Sequence, residues 1–307
     1  MAGFERIKKI LALGRLRFLS IGMALYAAGS LLALLSGARF DAARIAFGYI
    51  ILFLGHLSVH YSNDYFDFHA DRLNQSSATS GGSGVLANDP GLLRFAGQFG
   101  LVLAILSIVG AACFTAAYAL PLSYFGFALL GNMISWYYTA PPLRMAYRPW
   151  GALASAFSVG FLMPAIGDFS TLGHFSPLFV IFIIPLFLQA VAFIISVQIP
   201  DMEADRLAVK RTFVALYGRK AGFLAMSISF AAAAAYYAAA SLATNAIVLK
   251  MATIISLLPL ALALYSYFRN DGKKERSIAL VKYNVICYVA SALLLDVALA
   301  LLYAYML

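Results

Sequence analysis

From residue 18 to residue 306 the chain runs as a series of apolar stretches, divided by short polar connections and never by a long hydrophilic block. Stretches of roughly 17–25 apolar residues are long enough, as helices, to cross the hydrocarbon core of a bilayer. A helix also satisfies its own backbone hydrogen bonds, which lipid demands. The stretches lie near residues 18–36, 46–63, 93–115, 119–138, 152–168, 177–199, 221–241, 246–268 and 281–306. They predict an all-α, polytopic membrane protein of about nine transmembrane helices. Composition agrees: 63% of the 307 residues are hydrophobic and 11% are charged, too little polar surface to wrap a soluble body of this size. Residues 1–307 read as one helical domain with no soluble appendage.

Charge then sets direction. The net charge is +9. With an odd number of spans and a cytoplasmic N-terminus, only Arg39, Arg44 and Lys250 fall on the outer side, and all other Lys and Arg residues fall inside. Such an excess is the positive-inside pattern, so the chain is expected to be a multi-pass protein of the cell membrane with its C-terminus outside. Nucleic acid is a poor partner for charge spread in this way. Residues 1–17 are basic and partly amphipathic, and are expected to lie along the inner surface among anionic headgroups of membrane lipid. Ser36-Gly37-Ala38 imitates a signal-peptidase site, but the preceding run exceeds a signal h-region, so an uncleaved first helix is expected. Cys113 and Cys287 sit in apolar runs and indicate neither a disulfide nor a zinc site.

Acidic residues number only 13, which makes their placement informative. In NDYFDFHAD, Asn63, Asp67 and Asp71 recur every four residues from the end of the second span, and on a continued helix they share a face. In DMEADR, after the sixth span, Asp201 and Asp205 have the same spacing. Both groups belong to polar segments, 63–92 and 200–220, on the inner side. Carboxylates on one face repel each other and call for positive charge between them. Basic side chains can supply it, and so can hard divalent cations. Oxygen-only donors at one-turn spacing suit Mg²⁺, which keeps waters and accepts phosphate oxygens, and argue against zinc or copper. Two such helices facing across a cavity would hold a diphosphate through two metal ions. The plainer reading makes these residues helix caps in solvated loops. Asp64 and Glu203 are expected to be supporting or solvent-facing. Arg72, Arg144, Arg148, Lys210 and Arg211 follow the same segments and are candidate diphosphate ligands, or else positive-inside anchors.

With those residues in view, the sequence resembles the UbiA superfamily of intramembrane prenyltransferases. Asn63, Asp67 and Asp71 match its NDxxDxxxD-type motif, and Asp201 and Asp205 match its DxxxD-type motif. The YYTAPPLRMAYRPWG segment from Tyr137 to Gly151 and the KRT-x-x-A-x-x-G run from Lys210 to Gly218 extend the likeness. The resemblance implies a bundle enclosing a cavity that opens near the cytoplasmic face. It further implies Mg²⁺ held by Asn63, Asp67, Asp71, Asp201 and Asp205, and an isoprenyl diphosphate as donor. Ionisation of the allylic C–O bond would leave a carbocation that an electron-rich acceptor captures. Asp67, Asp201, Asp205 and Tyr138 would carry the chemistry, Tyr138 by offering an aromatic face to the cation. Within the superfamily, NDYFDF and GGSGVL (Gly81 to Leu86) are closest to the menaquinone-type branch, whose acceptors are dihydroxynaphthoate or related quinone precursors. A glycerol-phosphate ether lipid is the alternative acceptor.

His56 and His60 continue the face of Asn63 and Asp67 along the second span, and His60 is a candidate acceptor contact. Asp296, inside the last span, is expected to face the bundle, because a carboxylate toward lipid costs about 2.5–3.5 kcal/mol on insertion scales. A transporter is the non-enzymatic rival, but it would set its ionisable groups near midplane on broken helices. A phosphotransferase using Mg²⁺ would gather its aspartates into one run beginning DG, which is absent here.

Overall fold

A computed structural model describes residues 2–73 and 82–307. Chain order begins with α1 (Ala2–Leu13), α2 (Leu16–Leu35), α3 (Ala42–Phe66), the short α4 (Phe68–Leu73), the single turn α5 (Val85–Asn88), α6 (Leu93–Ala117) and α7 (Leu122–Tyr137). It continues with α8 (Gly151–Phe157), a π turn over Ser158–Leu162, α9 (Met163–Leu172), α10 (Pro177–Gln198), the short α11 (Met202–Leu207), α12 (Phe213–Thr244), α13 (Ile247–Arg269) and α14 (Lys274–Met306). Among the described residues, eight helices are long and apolar enough to cross a membrane. The helix at the fourth expected span, α7, has 16 residues, roughly 24 Å at 1.5 Å per residue, so length alone does not establish nine. The expected loop from Ser76 to Gly84 falls mostly on residues 74–81, outside the described residues.

Local chemistry sets the helix ends. Asp41 caps α3 through the Arg44 amide at 3.0 Å, Ser176 caps α10 through Phe179 at 3.1 Å, and Thr212 caps α12 through Ala215 at 3.3 Å; each side chain satisfies an amide the helix leaves unpaired. Asp168, 0% exposed, accepts from both the amide and the hydroxyl of Ser176 and so fixes the turn joining α9 to α10.

Packing then closes a ring. α3 lies along α6, α2 along α9, and α10 along α12; α12, α13 and α14 follow as antiparallel neighbours, and α14 returns to α2. The main core joins Leu25 and Leu32 of α2 to Phe182 of α10 and to Phe223 and Phe230 of α12. A second core joins Ile51, Phe114, Tyr124 and Phe169, and a third lies under the first acidic motif with Leu13, Tyr61, Phe68 and Leu86. Apolar side chains such as Ile105, Val109, Leu257 and Val297 point outward, as expected where lipid is the solvent. Asp296 lines a separate small cavity of about 470 Å³ with Gln189, Tyr237, Ser256 and Ser291, so it faces the bundle.

The α2–α9 crossing depends on glycine. A Cβ on Gly29 would lie 1.9 Å from the Pro164 carbonyl oxygen, and one on Gly167 would lie 2.1 Å from that of Tyr26. Backbone meets backbone, so no flexible side chain can give way. Gly29→Ala is therefore expected to cost at least about 1–3 kcal/mol, the usual range for overpacking. A thermal-melt assay of the detergent-solubilised protein would show the loss. Gly3→Ala, with nothing within 4 Å, is the control and should leave the melt unchanged.

Candidate active site

The first acidic motif is not one continuous helix. α3 ends at Phe66, Asp67 takes a turn conformation (φ −89°, ψ 5°), and α4 begins at Phe68. Helical hydrogen bonding nonetheless runs through the break, from the Asp67 amide to Asn63 O and from the Asp71 amide to Asp67 O, each at 2.8 Å. Asn63, Asp67 and Asp71 thus keep to one side of the chain and line one cavity. The second motif follows α10, where Asp201 precedes the first turn of α11 and Asp205 lies within it, joined by a 2.8 Å amide bond. Both line the same cavity, whose empty volume including its mouth is about 1370 Å³.

Asp67 and Asn63 draw partners from distant parts of the chain, and Asp205 from the cap of α12. Asp67, buried, accepts from Lys210 Nζ at 2.7 Å and from the Tyr147 hydroxyl at 2.8 Å. Asn63 Oδ1 accepts from Thr139 at 2.9 Å, and Asp205 accepts from the Thr212 hydroxyl at 2.8 Å. Lys210 reaches inward because Val209 adopts a left-handed backbone (φ 58°) and the Lys210 amide closes on Asp205 O at 2.7 Å. A β-branched residue in that region stores of the order of 1–3 kcal/mol, spent here on turning one ammonium into the cavity. Gly82 closes another wall: a Cβ there would meet the Asp71 carboxylate at 1.9 Å.

Electrostatics follows from this burial. Burial, aided by the neighbouring Asp67 charge, pushes the Asp71 carboxyl up to about 7. Burial pushes Asp205 up to about 6 against the pull of Lys210. Burial works against the Lys210 ammonium, yet the Asp67 carboxylate outweighs it and raises the Lys210 pKa. Among the described residues no three acidic, imidazole or thiol side chains are gathered at ligating distance. Lys210 holds Asp67 instead. The donor set is still all oxygen, on two walls of one cavity, which is the chemistry a hard divalent cation takes.

The cavity continues into an apolar tunnel. A second space of about 900 Å³ shares His56, Val59, Asn63, Tyr138, Ser155 and Val159 with the first and is otherwise lined by residues such as Leu52, Phe127, Leu162 and Ile166. Ser155 of α8 and Val159 of the π turn belong to both, so the irregular stretch of the Gly151–Leu172 span forms part of the join. Tyr138 stands at the junction, with oxygens on one side and the greasy tunnel on the other.

The other candidate residues divide. Lys210 and His60 line the cavity. Arg72, Arg144, Arg148 and Arg211 are exposed and do not line it; the Arg72 guanidinium lies over Phe68 at 5.7 Å, and that of Arg144 over Tyr147 at 5.3 Å. Asp64, expected to be supporting or solvent-facing, turns inward, 2% exposed, and is bound by Arg15 and by the Ser83 hydroxyl. Glu203 stays part-exposed and pairs with the buried Arg219. Two contributors escaped sequence reasoning. Arg15 lines the cavity from the junction of α1 and α2, and Tyr147 bonds Asp67. Arg15 carried one signal, a cation directly before the first span. Tyr147 carried only its place in the matched segment.

Two expectations follow. Lys210→Ala strips a buried carboxylate of its cation, which costs about 3–5 kcal/mol when one partner of a buried pair is lost. The melting temperature in chelator should fall accordingly, and added Mg²⁺ should restore part of it; equal melts with and without Mg²⁺ would remove the carboxylates from the metal site. Second, Asp71 and Asp205 hold protons below about pH 6–7 without metal, and a cation must displace them. Mg²⁺ affinity, read as thermal stabilisation without substrate, should level off above that window and weaken by about tenfold or more per pH unit below pH 6.

The fold and site can be set beside known proteins. A model of the UbiA prenyltransferase family matches residues 22–286. The 1,4-dihydroxy-2-naphthoate octaprenyltransferase of Bacillus subtilis is 30% identical over 105 residues, 34% of this chain and 34% of that one. That match spans about a third of the relative's length. A solved UbiA homolog from Archaeoglobus fulgidus, bound to DMAPP and Mg²⁺, superposes with a TM-score of 0.70 at 20% identity, covering 92% of this chain and 99% of its own. The apo UbiA homolog from Aeropyrum pernix K1 gives 0.68 at 18% identity over 92% and 98%. A digeranylgeranylglyceryl phosphate synthase gives 0.63 at 19% identity over 96% and 99%. At these identities the solved structures share the fold.

Proposed function

The chain belongs to the UbiA prenyltransferase family, and on that premise we propose that it transfers an isoprenyl group from an allylic prenyl diphosphate to an aromatic, quinone-precursor acceptor. One observation carries the reading: two acidic motifs from separate helix ends line a single polar cavity that opens onto an apolar tunnel. A prenyl diphosphate has the same division, an anionic head and a hydrocarbon tail. Two Mg²⁺ ions would be held by Asn63, Asp67 and Asp71 on one wall and by Asp201 and Asp205 on the other, and when bound they neutralise the diphosphate as it leaves.

The chain's own residues do the rest. Lys210, which lines the cavity, would offer its ammonium to the diphosphate oxygens; this contact strengthens as the C–O bond breaks and its electron pair departs with the leaving group. The Tyr138 ring, at the junction, faces the allylic carbon where positive charge develops. The apolar tunnel shields that cation from water. The acceptor ring then supplies the electron pair of the new C–C bond, and a proton leaves the attacked carbon. Among the exposed arginines, Arg144 packs over Tyr147, whose hydroxyl bonds Asp67, and in this reading it and Arg148 serve as outer diphosphate ligands. The excess of basic residues beside the motifs supports a cavity facing the cytoplasm.

The aromatic acceptor rests on the partial match to the Bacillus naphthoate enzyme and on NDYFDF and GGSGVL. Radiolabelled geranyl diphosphate should bind the purified protein only with Mg²⁺, and Asp67→Ala or Asp201→Ala should reduce binding and turnover with 1,4-dihydroxy-2-naphthoate by at least about 10³-fold, the scale expected when charge stabilisation of a leaving group is lost. Full activity in either variant would overturn the reading. Transfer to a glycerol-phosphate lipid but not to the naphthoate would keep prenyl transfer and replace the acceptor.

A further inference from the structure

Three residues that line the large cavity each keep a buried side-chain atom with no hydrogen-bond partner among the described residues: Arg15 Nε, His60 Nε2 and Gln198 Oε1. His60 and Gln198 are only 9% and 8% exposed. They come from three different elements, the α1–α2 junction, the C-terminal part of α3 and the last residue of α10. Leaving one such atom unpaired costs about 1–3 kcal/mol, and three around one cavity form a pattern that a ligand's polar groups can complete. None of the three belongs to the acidic motifs.

The surroundings describe the ligand. Phe18 lies beside His60 with ring centroids 6.1 Å apart, and Ile21, Val59 and Ile194 add apolar surface to the same cavity. Aromatic and apolar surface beside unpaired polar atoms suits a ring with polar substituents. The Arg15 guanidinium already spends one nitrogen on Asp64, which cancels its net charge but leaves the Nε–H as a fixed donor. A carbonyl or imidazole nitrogen accepts the proton of a hydroxyl. We propose that Arg15, His60 and Gln198 are the acceptor-reading wall: a hydroxylated aromatic ring stacks against Phe18, its hydroxyl groups donate to Gln198 Oε1 and His60 Nε2, and Arg15 Nε–H donates to an oxygen borne on the ring. The inference rests on the aromatic-acceptor reading above and assigns the residues that recognise the acceptor. Hydrogen bonds that draw on the hydroxyl protons also enrich the ring in electrons, which favours attack on the allylic carbon.

The wall also has a structural tie. Asp64 accepts from Arg15 and from the amide and hydroxyl of Ser83, so a large change at Arg15 would disturb the segment beside Asp71. Arg15→Lys keeps the pairing charge for Asp64 while removing Nε–H, and Gln198→Leu removes the acceptor at nearly constant volume. In each variant the KM for 1,4-dihydroxy-2-naphthoate should rise about 5- to 100-fold, the range for one buried hydrogen bond lost, while Mg²⁺-dependent binding of geranyl diphosphate stays within about twofold, below what one lost bond to a charged group would give. A second readout uses a monomethyl ether of the naphthoate. The wild type should discriminate against an ether of the hydroxyl that Gln198 reads, and Gln198→Leu should lose that discrimination. Unchanged acceptor KM, or a parallel fall in geranyl diphosphate affinity, would overturn the assignment and place these residues on the donor side. Wild-type protein that binds geranyl diphosphate but never prenylates the naphthoate would instead overturn the aromatic reading, and the wall with it.

Discussion

A carboxylate withdrawn from water must find a cation or take up a proton, and five acidic groups of this protein are drawn to one end of a bundle whose exterior is lipid-facing hydrocarbon. Asp64, Asp67 and Asp71 come from one helix end, and Asp201 and Asp205 from another. Burying ions costs several kcal/mol each even after relaxation. The protein meets that demand locally with Arg15 on Asp64 and Lys210 on Asp67. It leaves Asp71 and Asp205 with raised proton affinity. Charge balance therefore dictates features that otherwise look unrelated: the left-handed turns at Arg15 and Val209, the glycine packed against Asp71, and the threonine that both caps α12 and bonds Asp205.

The same balance links stability to function. Lys210 is the ammonium that stabilises the cavity without metal, and in the proposed reaction it becomes a ligand of the leaving group. In that reading one side chain serves both roles, and a cation kept in the cavity offsets its carboxylates, which a low-dielectric setting requires more strictly than water would. The apolar tunnel depends on this arrangement too. Its walls supply no charge, so in the proposed reaction the anionic head would sit at the cavity end and the tail would run into the tunnel past Tyr138.

Much of this was legible in the sequence, and the boundary of legibility has a physical cause. Apolar runs report spans because hydrocarbon imposes one length and one hydrogen-bond solution on all of them. The four-residue spacing of Asn63, Asp67 and Asp71 survived the break after Phe66 because the amide bonds at Asp67 and Asp71 preserve the helical register. By contrast, the partners of the acidic residues lie far off in sequence: Arg15 reaches Asp64 across 49 positions, Tyr147 reaches Asp67 across 80, and Lys210 reaches it across 143. No local periodicity encodes such contacts. Proximity to the motifs was therefore a poor guide among the basic residues. Arg72 directly follows the first motif yet points away, whereas Arg15, in another element altogether, points in.

Asp64 shows why that distinction matters. It stands next to Asn63 in a helix, about 100° around the axis, and so cannot share the motif face. That offset turns it toward α1 and the segment entering α5, where it gathers Arg15 and Ser83. The residue beside the metal motif thereby fixes the first helix of the bundle and the returning chain relative to Asp71. A helix that presents one carboxylate row to the cavity and a single carboxylate to the scaffold couples the placement of the two. The acidic stretch that the proposed reaction uses as a ligand set is thus also the anchor that holds its own surroundings in place.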